Sequence, residues 1–171
     1  MEFTVRDYQP DDFVALWGID QMCFPPGISY TQYELRSYIT RRGAFTLVAE
    51  ANRAADRGLP CAVDENDSDG ILGFIVAHRT VRMTGHIITI DVHPEARRLK
   101  VGSALLDSAE QRLISSNCRK SHLETAVDNM GALSFYKRHG YSITKTVPRY
   151  YSNGLDALLL EKDLLSPLSS R

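Results

Sequence analysis

The stretch Ile87-Ile88-Thr89-Ile90-Asp91-Val92-His93-Pro94-Glu95-Ala96-Arg97-Arg98-Leu99-Lys100-Val101-Gly102-Ser103-Ala104-Leu105-Leu106 changes its periodicity halfway along. Its first six residues are rich in β-branched side chains and read as a strand. His93-Pro94 ends that strand. Beyond the arginine pair, Val101, Ala104, Leu105, Ala109 and Leu113 recur at helical spacing and mark the buried stripe of a long helix. The unit is therefore strand, loop, helix. The first amides of such a helix lack intrahelical partners and sit at the positive end of its dipole, which suits an anion. Gly102 permits close backbone approach, and Arg97, Arg98 and Lys100 add positive charge. A pyrophosphate is the guest this chemistry fits. GxxxxGK[ST] and GxGxxG are both missing, so neither a nucleotide-triphosphate loop nor a dinucleotide fingerprint is present.

Working outward, residues 3–8 read as a strand, and Pro10-Asp11-Asp12 suits a helix start. That helix runs from Phe13 to about Cys23 and is broken by Phe24-Pro25-Pro26-Gly27. Thr31 and Glu34 make a capping box for a helix over 32–41. Strands follow at 44–51, 71–77 and 86–92, with the acidic segment 53–69 between the first two read as a solvated, mobile loop. After the long helix come a strand at 121–127 and a helix opened by Asn129 and closed by Gly140. A strand at 141–147, a turn at Asn153-Gly154 and a final strand at 155–160 complete the order, and 166–171 read as a frayed tail. The succession β α α β β β α β α β β predicts a mixed α/β chain, with one domain over residues 1–165.

Composition narrows the function classes. The 171 residues, 19.2 kDa, match one domain by length. Twenty basic residues against 21 acidic ones give a net charge of -1, which argues against a dedicated nucleic-acid binder. No apolar run reaches membrane-spanning length, and the N-terminus has no apolar leader core. Cys23, Cys61 and Cys118 form no CxxC pair, which predicts a reducing, cytoplasmic setting. His93, His122 and His139 show no metal-ligand spacing, so no metal is expected. His86, at a strand end, reads as a solvent-facing residue or a second general base.

Three motifs carry a resemblance to a known family. Arg97-Arg98-Leu99-Lys100-Val101-Gly102 resembles the acetyl-CoA motif Arg/Gln-x-x-Gly-x-Gly/Ala of the GNAT superfamily of N-acyltransferases, with Lys100 replacing the first glycine. Asn129, Ala132, Tyr136, Gly140 and Tyr141 resemble that superfamily's N-x-x-A-x-x-x-Y-x-x-x-G-F/Y signature. Arg149-Tyr150-Tyr151 with Gly154 and Asp156-Ala157 is similar to the pattern of RimI-like N-terminal acetyltransferases, although the arginine here adjoins the tyrosines.

The resemblance implies a central, mostly antiparallel sheet of six to seven strands with a splayed parallel pair and about four flanking helices. It implies acetyl-CoA as the acyl donor and CoA as product. The acceptor it implies is the α-amino group of a protein or peptide N-terminus, a ribosomal protein among the candidates, attacking the thioester directly. Glu124 matches the base, and its neighbours Leu123 and Val127 are consistent with partial burial. Tyr136 matches the donor to the leaving thiolate. Asn129 would hold the pantetheine arm while capping its helix. Backbone groups of Ile90 and Val92 would pair with pantetheine amides, and a bulge near Asp91 would splay the parallel strands. Arg97, Arg98, Lys100, Val101, Gly102, Ser103 and Ala132 complete the implied donor site. Phe24, Pro25, Pro26, Ile28 and Tyr30 would line the acceptor pocket with Tyr150 and Tyr151. Two other readings stay open at this point: a GNAT enzyme for a small-molecule amine, and a non-catalytic acyl-CoA-binding module.

Overall fold

The computed structural model describes residues 2–52 and 70–165. The expected loop at 53–69, including Cys61, and the expected tail at 166–171 lie outside the described residues. The elements are β1 (Phe3–Asp7), α1 (Phe13–Cys23), α2 (Gln32–Thr40), β2 (Ala44–Ala51), β3 (Ile71–Arg79), β4 (Gly85–Val92), α3 (Val101–Ser115), β5 (Lys120–Ala126), α4 (Met130–Arg138), β6 (Ser142–Val147) and β7 (Ala157–Asp163). This is the order the sequence predicts. Pro10–Asp12 is a 3-10 turn leading into α1. The final strand starts at Ala157, two residues later than expected, and runs on to Asp163. Leu155 and Asp156 are held out of it by local bonds: Leu155 N–H donates to Asn153, and the Asp156 carboxylate accepts from Arg149 N–H.

The seven strands form one sheet in the order β1-β2-β3-β4-β5-β7-β6. All neighbours are antiparallel except β4 and β5, which run parallel and pair only at Gly85 with Ser121 and His86 with His122. Beyond His86 the two strands diverge. A bulge accompanies the divergence, but at Ile88 rather than near Asp91: Ala77 and Val76 face Ile87 and Thr89, leaving Ile88 unpaired, while Asp91 sits in register opposite Phe74. The extra residue bends β4 just after its last rung with β5.

Both faces of the sheet are covered. Leu105, Leu106 and Ala109 of α3, with Leu133 and Tyr136 of α4, pack on Ile75, Ala77, Ile87, Leu123 and Leu160. Phe13, Leu16 and Ile19 of α1 and Leu35 of α2 pack on Val48, Phe74 and Val76 from the other side. The capping box forms as expected, with Glu34 N–H donating to Thr31 Oγ1 at 3.2 Å and Thr31 N–H to the Glu34 carboxylate at 2.9 Å. Gly140 takes a φ of 87° just past α4, a position few side chains tolerate. A buried polar network ties α3 to β5 and β7. Tyr141 donates to Glu110 at 2.9 Å and meets Ser121 at 2.5 Å, while Lys162 meets the other Glu110 oxygen at 2.5 Å.

Candidate active site

The divergence of β4 and β5 opens a part-open cleft of about 1040 Å³, floored by both strands and walled by α3, α4 and the segment after α1. Arg97, Arg98, Lys100, Val101, Gly102 and Ser103 line one end. Arg98 and Lys100 both adopt left-handed backbone, with φ of 67° and 65°, so the chain turns sharply into α3. Lys100 occupies the N-cap without a side-chain capping bond, and the first helical bond runs from Ala104 N–H to its carbonyl. The preceding amides of α3 have no intrahelical acceptor. A Cβ on Gly102 would meet only Val92 and Phe135 at 3.5 and 3.6 Å, so that wall is open at the backbone. Arg138 of α4, not singled out from the sequence, is a further cation lining the cleft. Free amides, a bare glycine and convergent cations fit the pyrophosphate of a coenzyme A thioester.

Further in, the cleft edge of β4 past His86 has no strand partner. The Val92 carbonyl is instead approached by Cys23 Sγ at 3.3 Å and Arg97 Nε at 3.4 Å. Asn129 accepts from Ala132 N–H at 3.0 Å, capping α4, and lines the cleft. Tyr136 is buried among Phe135 and Tyr141, and burial holds its phenol far above the ordinary range, so it stays protonated.

Glu124 reaches the cleft from β5. Its carboxylate lies 2.7 Å from His86 Nε2. Burial alone would raise its pKa, but the His86 hydrogen bond and the nearby imidazoles outweigh burial and hold it below the ordinary carboxylate range. Burial pushes the Tyr150 phenol up to about 12, with the Glu124 charge adding to the rise. Phe24, Pro25, Ile28, Tyr30 and Tyr151 line the remaining wall, whereas Pro26 and Tyr150 are not among the lining residues. Tyr150 is 47% exposed and stands edge-on to Tyr151, so one tyrosine of the pair faces inward. The loops carrying these residues are bridged, with Ser152 Oγ donating to Gly27 O at 2.9 Å. His86 is bonded into the site rather than facing solvent.

Two buried acids went unread in the sequence. Asp20 in α1 is fully buried and accepts from Tyr30 N–H at 2.8 Å and Gln21 at 2.9 Å; burial raises it to about 6. Asp91 accepts from Thr89 at 2.7 Å, and burial lifts it well above its ordinary value. The sequence signal was an acid beside apolar neighbours, Ile90 and Val92 around Asp91 and Ile19 before Asp20, which does not separate a buried carboxyl from one on an exposed face.

A splayed parallel pair, an anion-binding helix start and a neutral phenol across a cleft from a carboxylate define an enzyme that transfers an acyl group from coenzyme A. The chain matches the Acetyltransferase (GNAT) family over residues 14–141, and it belongs to that family. It is therefore a GNAT N-acetyltransferase with acetyl-CoA as donor. It is 34% identical to an N-alpha-acetyltransferase of Sulfurisphaera tokodaii over 95% of this chain and 94% of that one. It is 43% identical to an uncharacterized N-acetyltransferase of Methanocaldococcus jannaschii over a shorter segment, 46% of this chain and 51% of the relative. The crystal structure of Ard1 from Thermoplasma volcanium superposes with a TM-score of 0.79 at 26% identity, covering 97% of this chain and all of that one. No described helix is long and apolar enough to cross a membrane.

Proposed function

We propose that this acetyltransferase acts on the α-amino group of a protein N-terminus, with Glu124 as the base and Tyr136 as the donor to the leaving sulfur. The observation that carries this reading is the placement of Glu124 and Tyr136 in one cleft, the first an ionised carboxylate and the second a neutral phenol. The kinship with a full-length N-alpha-acetyltransferase supports the choice of acceptor.

The donor supplies an activated thioester; the chain supplies position and protons. An α-ammonium has a pKa of about 7.7–8.0, so its deprotonation near neutral pH is a modest task. Glu124 accepts that proton, directly or through one water, and the His86 hydrogen bond fixes the carboxylate for it. The amine nitrogen then forms its bond to the acetyl carbon as the carbon–sulfur bond breaks, and the proton left on that nitrogen passes to the departing thiolate, giving amide and CoA thiol. Tyr136, itself buried, directs its O–H at the sulfur that gains charge, a preorganised dipole. The unpaired edge of β4 at Ile90 and Val92 holds the pantetheine amides, Asn129 assists, and Arg97, Arg98, Lys100, Arg138 and the α3 amides hold the phosphates. Phe24, Ile28, Tyr30 and Tyr151 contact the first acceptor residues.

The test is acetylation of peptides by the purified protein, read by mass and by release of CoA thiol. A peptide with a free N-terminus gains one acetyl group, and the same peptide blocked at its N-terminus gains none. Acetylation of lysine side chains in the blocked peptide at an equal rate refutes the α-amine assignment.

A further inference from the structure

Three imidazoles stand in a row across three neighbouring strands. His78 of β3 is the cross-strand partner of His86 of β4, and His86 is the partner of His122 of β5. All three lie on the face opposite α3, because the adjacent Ala77, Ile87 and Leu123 belong to the core beneath α3 and α4. The His86 and His122 rings stack at 4.4 Å and 15°, and His78 leans on His86 at 5.3 Å. Glu124 follows His122 by two residues and so projects from the same face. One donor atom each from His86, His122 and Glu124 lies within 4.8 Å of the other two.

We propose that His86, His122 and Glu124 form a binding site for a divalent cation of the zinc class, and that occupancy of this site switches acetyl transfer off. Two imidazoles and a carboxylate with an open fourth position match zinc, cobalt or nickel and disfavour magnesium or calcium, which prefer oxygen ligands. Tetrahedral ligands at zinc bond lengths stand about 3.3 Å apart. The 2.7 Å His86–Glu124 separation and the 4.8 Å outer limit bracket that spacing, and the set closes when the stacked His86 and His122 rings tilt out of parallel so that each aims an in-plane nitrogen at the cation. A cation there takes up the Glu124 lone pairs and expels the acceptor amine. The inhibitory half of the proposal rests on Glu124 being the base; the binding half does not.

Titration of the metal-free protein with Co²⁺ tests the site without reference to activity. The expected result is the visible absorption of low-coordinate cobalt, abolished by one equivalent of Zn²⁺ and unchanged in Cys23→Ser. In His122→Ala the affinity falls by more than the roughly ten- to hundred-fold that loss of an outer-shell partner costs. Acetylation by the wild type stops with Zn²⁺ and returns with a chelator, while the rate that remains in His122→Ala no longer responds to Zn²⁺. Absence of the cobalt bands, or their persistence in His122→Ala, overturns the site. Cobalt and zinc binding that leaves acetylation untouched overturns the switch and removes Glu124 from the base role, while the site itself stands.

Discussion

Replacing Tyr136 by Phe removes one oxygen and little else. The ring is 6% exposed and held edge-on by Phe135 and Tyr141 at 5.2 and 5.7 Å, contacts that phenylalanine keeps. Among the described residues no group hydrogen-bonds to the Tyr136 hydroxyl, so the substitution strands no partner and stability shifts by less than about 1 kcal/mol. What is lost is a neutral donor aimed at a sulfur gaining negative charge. A hydrogen bond to a charged group contributes about 1.5–3 kcal/mol, which at 1.36 kcal/mol per decade lowers kcat about 12- to 150-fold. The contact exists only as charge develops, so KM for acetyl-CoA stays within about twofold. Steady-state acetylation of a free-N-terminus peptide, followed by thiol release, gives both constants, and a thermal melt checks the fold. A kcat within threefold of wild type refutes the assignment. A matched loss in CoA affinity would make Tyr136 a binding residue instead.

Glu124→Gln slows kcat/KM by about 10²–10⁴-fold. The acid limb of the pH profile keeps its midpoint near the α-amine value of about 7.7–8.0, because Glu124 is ionised well below that pH; a midpoint that moves with the substitution shows Glu124 itself titrating there. Lys100→Gly relieves a left-handed residue and raises stability by about 0.5–1 kcal/mol, while loss of the ammonium weakens CoA binding about two- to fivefold; calorimetry showing unchanged affinity removes Lys100 from the phosphate clamp. Asp20 is raised to about 6 from 3.8, so the folded state holds its proton more tightly than the unfolded one. Its contribution favours folding below about pH 4 and is lost as pH rises through about 6, a swing of at most about 3 kcal/mol. Asp20→Asn keeps an acceptor for Tyr30 and Gln21 and flattens that slope; denaturant melts at pH 4 and pH 7 showing the wild-type slope intact would refute the assignment.

Elements with strong local signals were legible from the chain. The Thr31–Glu34 box, Gly140 past α4 and the switch of period between Val92 and Val101 are set by neighbours a few residues apart, and each formed where expected. Tyr136 and Asn129 fell into one cleft because the signature carries their spacing, and Glu124 joins them from the strand just before it. Features set by register did not show. The extra residue in β4 is Ile88, an apolar residue among apolar residues, and only its pairing with β3 sets it apart. His122 meets His86 through a parallel rung between strands separated by all of α3, and no local pattern encodes that rung. The late start of β7 depended on Asp156 turning back to Arg149, a bond between loop residues rather than a propensity.

The two-rung seam between β4 and β5 has a consequence for the life of the molecule. It divides the sheet into an amino-terminal leaf of four strands and a carboxy-terminal leaf of three, closed by their own backbone at one end only. A donor lodged in the gap acts as a splint, and a ligand at a hundred times its dissociation constant adds about 2.7 kcal/mol to the folded state. By that linkage the melting temperature of the enzyme is expected to rise with acetyl-CoA concentration.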